Sequence, residues 1–272
     1  HPGYGSIMPL GTDPLTDGEL KFILHWILEG APEHGTVARV SDLADTQRYS
    51  PPPFKALDKP KNGIQLHVEP FDVPPNFERE FFMYKNLNNR SPIYVNRVQI
   101  EMRPGSHHFI GYLLDSSRPL FSLAKRLFVP NRIRDLHLPN GDDDPLVLAS
   151  MNYHNFFSGT QTPRFDYEFP KGVALRLPAN TGLDLNTHYV NRGEEAFEGE
   201  VYMNLHTIEK ADVEHEAKII NFNNTDIELP PNKITTLTRD FRATEKMNIF
   251  QLFSHSHEKT VEFRVEKEGI VQ

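Results

Sequence analysis

In the stretch Ile64-Gln65-Leu66-His67-Val68-Glu69, apolar and polar side chains alternate one by one. A strand sends successive side chains to opposite faces, so this alternation predicts a strand with one buried face. The same period recurs at Val173, Leu175 and Leu177, at Val201, Met203 and Leu205, and at Val261, Phe263 and Val265. A further strand is expected from Tyr94 to Met102. Pro104-Gly105, Pro139-Asn140-Gly141 and Asn191-Arg192-Gly193 punctuate these runs with turn signals. Short strands separated by such turns predict a mainly β protein built as an antiparallel sandwich.

Working outward, residues 1–45 carry the one helical pattern. Thr16-Asp17-Gly18-Glu19 has the form of a capping box, and Leu20, Ile23, Leu24, Ile27 and Leu28 follow at helical spacing. Gly30 and Pro32 predict its end. Tyr49-Ser50-Pro51-Pro52-Pro53 reads as a stiff linker with no place in a core, spanning about 46–61. Between Asp115 and Thr162 the periodicity is weak, which predicts an excursion of loops and short elements, and long excursions often line sites.

Composition narrows the function. The chain has 272 residues, 22 prolines and 19 phenylalanines, a balance that suits short strands and turns. A net charge of −8 argues against a nucleic-acid binder held by phosphate contacts. No stretch has the apolar length of a membrane span. With no cysteine, the chain has neither disulfides nor thiolate metal sites nor a cysteine nucleophile.

Histidine is the unusual residue, with 13 copies, several of them paired. His255-Ser256-His257 lies in a strand-like run from Asn248 to His257, where residues i and i+2 share a face and two imidazoles can hold one ion. His107 and His108 are adjacent, and would point to opposite faces of an ideal strand. They converge only if the backbone turns or bulges, which the preceding Pro104-Gly105 allows. His188, in Leu185-Asn186-Thr187-His188-Tyr189-Val190, offers a third imidazole. Imidazole suits copper, zinc, iron and nickel, so ligand type leaves the metal open. His25, His34, His67, His137, His206 and His215 read as surface or hydrogen-bonded histidines. His154, beside the excursion, is a candidate for supporting the ligands.

These motifs in this order resemble the copper type II, ascorbate-dependent monooxygenases, the family of peptidylglycine α-hydroxylating and dopamine β-monooxygenases. The resemblance covers residues 62–272 and implies two consecutive jelly-roll domains, 62–208 and the start of a second at 209–272. It implies that His107, His108 and His188 bind an electron-transferring copper, and that His255 and His257 bind the oxygen-activating, catalytic copper. Met8-Pro9-Leu10 with the helix ending Trp26-Ile27-Leu28-Glu29-Gly30-Ala31-Pro32 resembles the end of a c-type cytochrome domain over 1–45. Met8 would be its axial haem ligand.

The sequence departs from the family pattern at four places. No methionine follows His257, where the family has its last copper ligand; Met247 precedes the pair. The disulfides of the animal enzymes have no counterpart, which points to a bacterial-type relative. Phe253 stands where peptide-hydroxylating members carry arginine, which argues against a peptide substrate. Glu258 stands where the peptide enzyme has a further histidine.

The resemblance implies hydroxylation of a C–H bond of a small-molecule substrate, with O2 and an external electron donor, ascorbate-like or a cytochrome. Two coppers are expected in a longer protein, with haem c only if a Cys-x-x-Cys-His precedes this stretch. A periplasmic or secreted location follows from the same resemblance. Three other readings stand beside it: a copper-binding or electron-transfer protein without oxygenase activity, a jelly-roll binding module, and a zinc hydrolase.

Overall fold

A computed structural model describes residues 15–35, 39–48, 53–222, 224, 226–253, 260–267 and 270–271. The chain divides into a unit of residues 1–219 and a unit of residues 220–272. Met8, His255 and His257 lie outside the described residues.

Helix α1 (Asp17–Leu28) begins as its sequence predicts. The Thr16 hydroxyl accepts from the Glu19 amide at 3.1 Å, and the Glu19 carboxylate accepts from the Thr16 amide at 2.7 Å. Each bond satisfies a first-turn donor that the helix leaves without a partner. At the other end Gly30 takes φ +90°. Its amide donates to the Ile27 carbonyl and that of Ala31 to the Trp26 carbonyl, the paired closure that a left-handed residue permits. Leu20, Leu24, Ile27 and Leu28 remain exposed.

The rest of the first unit is a β-sandwich. Its strands are β1 (Gly63–Val73), β2 (Phe77–Asn86), β3 (Ile93–Met102), β4 (Ser106–Leu114), β5 (Ile133–Asp135), β6 (His154–Thr160), β7 (Arg164–Glu168), β8 (Val173–Leu177), β9 (Gly182–Asn191), β10 (Phe197–Ile208) and β11 (His215–Ala217). One sheet runs β1-β10-β3-β8-β11, with β7 sharing an edge of β3. The other runs β5-β2-β9-β4-β6. All pairings are antiparallel except β8 with β11. The expected two-sheet architecture is therefore present, and the compact unit carries on through β11.

Alternation places the core. Leu66 and Val68 face inward from β1; a register shift between Val68 and Phe71 then changes the phase, so that Phe71 and Val73 also turn inward. Phe81 and Met83 of β2, Phe109 of β4, and Leu183, Leu185 and Tyr189 of β9 meet Ile100, Met203 and Leu205 across the sandwich. Tyr189 is fully buried, and its hydroxyl donates to the Glu200 carbonyl at 2.9 Å, tying β9 to β10. The linker side chains and carbonyls at 53–58 lie along the outside of the first sheet: Gln65 donates to Leu57, Asn204 to Asp58, and Arg103 sits over the Phe54 ring.

The excursion predicted between Asp115 and Thr162 holds two short helices, α2 (Phe121–Ala124) and α3 (Pro145–Met151), with β5 between them. It ends earlier than expected, because β6 already pairs with β4 from His154.

In the second unit, β12 (Glu266–Lys267) and β13 (Ile270–Val271) form a minimal hairpin. Residues 248–253 of the predicted Asn248–His257 strand carry no strand pairing, and Val261 and Phe263 are exposed. Alternation creates an apolar face, but a strand also needs a neighbour to take its backbone hydrogen bonds. Among the described residues no helix is long and apolar enough to cross a membrane.

Candidate metal centre

The middle of the second sheet is unusual in being buried on both faces. In β9 every residue from Gly182 to Tyr189 is buried. Leu183, Leu185 and Tyr189 fill the core, so Asp184, Asn186 and His188 project from the outer face. On either side, β2 presents Glu78, Glu80 and Phe82, and β4 presents His108, Ile110 and Tyr112. Register sets His188 directly opposite Glu80 on one neighbour and His108 on the other. Such cross-strand pairs have Cβ atoms about 4.5–5.5 Å apart, within reach of one another's polar atoms.

The adjacent histidines converge because the ladder is broken there. Ser106 pairs with Tyr189, and the next paired residue on β4 is His108, opposite His188; the shift leaves His107 as the extra residue. That bulge starts at Gly105, whose φ of +93° is open to glycine and costly for other residues. The amide of Val190 donates to the Gly105 carbonyl at 3.0 Å and fixes the turn to β9. As a result His107, His108 and His188 each offer a ring nitrogen within 4.8 Å of the others. Their ring centroids are 4.8 Å apart for His107–His188 and for His108–His188, and 5.5 Å for His107–His108. His188 is buried, His108 partly so, and His107 exposed, so the trio opens to solvent at His107.

The hydrogen bonds behind the rings decide which nitrogens are free. Nε2 of His188 donates to the Glu78 carboxylate at 2.8 Å, and Nε2 of His108 to the Asn186 carbonyl oxygen at 2.7 Å. A neutral imidazole carries one N–H, so both Nδ1 atoms keep their lone pairs. Those two atoms face each other at 3.4 Å. Two nitrogens that share an ion at roughly 2.0–2.1 Å each come to about this separation. The donor set and its spacing therefore fit a metal ion, with a His107 ring nitrogen within 4.8 Å of the other two. Burial, and then the neighbouring His108, hold the His107 imidazole below its ordinary value; burial does the same for His188. Both effects favour the neutral form that ligation requires. Burial alone would raise the Glu80 carboxyl, but the neighbouring His108 ring and the hydrogen bond from Asn186 outweigh it and hold it at about 2.

His154 does not join the trio. Its Nε2 donates to the fully buried Asp184 at 2.7 Å, and Arg134 pairs with the other oxygen of that carboxylate. The His154 ring stacks on Tyr112 at 4.6 Å, with Phe82 and Phe128 around it. This cluster fastens the excursion over the far end of the same sheet face and gives the buried Asp184 side chain polar partners on both oxygens. His25, His67 and His206 are hydrogen-bonded to Asp42, Glu200 and Gln99 respectively, and His137 lies 2.9 Å from the Asp143 carboxylate. His34 and His215 are exposed.

Glu78, Glu80 and Asn186 were not singled out from the sequence. The signal was available: Asn186 stands two residues before His188, hence on the same strand face, and Glu78 and Glu80 share a face for the same reason. That β2 lies beside β9 was not legible. No protein-family model and no curated protein matches the chain.

Proposed function

We propose that the chain is part of a copper-dependent monooxygenase in which His107, His108 and His188 hold an electron-transferring copper. His255 and His257 would contribute to the oxygen-activating copper, in a jelly-roll arrangement of two domains with a cytochrome-like segment before them. The observation that carries this reading is the pair of Nδ1 atoms of His108 and His188 facing each other at 3.4 Å, with both Nε2 atoms already engaged. With both rings neutral two lone pairs meet there, an arrangement that a shared cation relieves.

Copper would supply a one-electron couple at the trio and, at His255 and His257, oxygen activation for hydroxylation of a substrate C–H bond. The chain's own residues do the rest. Glu78 and Asn186 hold the ring N–H groups, burial favours the neutral form of His188, and exposed His107 leaves an edge open to a small reductant. The bulge at His107 keeps the ligands on one sheet face.

The test is copper content per chain together with oxygen consumption driven by ascorbate. His257→Ala is expected to abolish oxygen consumption while copper stays bound at the trio, and His188→Ala to release the trio's copper. Turnover retained in His257→Ala would sink the oxygenase reading. A copper-binding or electron-transfer protein, resting on the trio alone, is the second reading. One copper per wild-type chain with no oxygen consumption would select it.

A further inference from the structure

Resting on the copper reading above, we propose that Glu78 and Glu80 are positioning residues that commit two of the three imidazoles to bind through Nδ1, Glu78 directly and Glu80 by way of Asn186.

Glu80 can only accept hydrogen bonds while ionised, so the side-chain amide of Asn186 must turn its NH2 toward it, and the two meet at 2.9 Å. That choice leaves the Asn186 carbonyl oxygen facing Nε2 of His108 at 2.7 Å. A carbonyl oxygen only accepts, so Nε2 must carry the hydrogen and Nδ1 is left as the ligand atom. One charge on β2 thus fixes a tautomer on β4, two strands away. Glu78 does the same for His188 without an intermediary, at 2.8 Å. Arg192 reaches the second oxygen of Glu78 at 3.4 Å and helps hold it. His107 has neither support and supplies the adjustable ligand.

The carboxylates also act on which ion the site prefers. Glu80 lies 3.7 Å from Nε2 of His108 and 3.8 Å from Nδ1 of His188, close enough to favour added positive charge between the rings. Hydrogen bonds from ligating histidines to carboxylates raise ligand basicity. Both effects favour the divalent over the monovalent copper ion.

Two near-isosteric substitutions separate the roles. Gln at position 80 can donate as well as accept, which frees the Asn186 amide to reverse and donate to Nε2 of His108. Gln at position 78 can likewise donate to Nε2 of His188. Long-range proton–nitrogen NMR of histidine rings in the metal-free full chain reads the tautomers directly, and competitive chelator titrations read Cu2+ and Cu+ affinity. Wild type is expected to show Nε2–H on both rings. Glu80→Gln should move His108 toward Nδ1–H and leave His188 alone, while Glu78→Gln does the reverse. Each should weaken Cu2+ about 10–100-fold, the usual effect of removing an outer partner, and Cu+ by less.

Unchanged tautomers in both variants would overturn the proposal, as would equal shifts of both rings in each variant, which signal general loosening. Selective shifts with unchanged Cu2+ affinity would overturn the claim that the carboxylates serve the metal. Selective shifts in the two variants, with a wild type that takes up no copper, would confirm the ring orientation and remove the copper reading instead.

Discussion

Gly105 is where a single methyl group should test how the trio is assembled. Its φ of +93° lies in the left-handed region, where an alanine is strained by about 1–2 kcal/mol. A Cβ there would also stand 2.7 Å from Cε2 of Phe197 and closer still to Cζ, in a ring packed against the core. Overpacking of that kind costs about 1–3 kcal/mol. Gly105→Ala is therefore expected to lose about 2–5 kcal/mol, read as a fall of roughly 4–20 °C in the midpoint of thermal unfolding. Phe197→Leu removes the colliding ring atoms but not the backbone strain. In that background the same glycine change should cost only the strain, about 1–2 kcal/mol, and the cycle isolates the clash. Because this turn delivers the bulge at His107, Gly105→Ala should also weaken copper binding more than its stability loss alone explains. A cost under about 0.5 kcal/mol, or one that is the same in both backgrounds, would refute the reasoning.

Asp184→Ala leaves the buried Arg134 guanidinium without its carboxylate and should cost about 3–5 kcal/mol in urea unfolding; a loss below about 1 kcal/mol would show that the cluster with His154 is not what holds the excursion down. Burial raises the Glu200 carboxyl, but hydrogen bonds from His67 and Arg103 outweigh it and hold it below its ordinary value. The folded chain therefore binds that proton less readily than the unfolded chain. The stabilisation is present above the free glutamate value of about 4.3 and is lost as pH falls through the lowered one. Glu200→Gln should flatten that acid limb of the stability curve, and an unchanged limb would contradict it. His108→Ala should release copper from the trio without unfolding the sandwich, since the side chain lies on the outer face; loss of cooperative unfolding in circular dichroism would show otherwise.

Features written in local spacing were legible along the chain. Helix α1 could be read from Thr16, Glu19 and Gly30 because capping bonds span three or four residues, and the structure has them where the spacing places them. Strand alternation at Ile64–Val68, Val173–Leu177 and Val201–Leu205 announced a half-buried sheet, and Pro104-Gly105 announced a break before His107.

Alternation of the same kind at Val261 and Phe263 did not yield a strand, because periodicity shows what could be buried and not which partner does the burying. That β2 and β4 flank β9 emerges on folding alone, since register between strands some 80 to 110 residues apart leaves no trace in local spacing. From that adjacency come the 3.4 Å approach of two Nδ1 atoms, the Glu80–Asn186–His108 chain, and the burial of Asp184 beneath the excursion. Histidines could be counted along the chain. Their tautomers depend on which carboxylate stands behind them, and that is a property of the folded sheet.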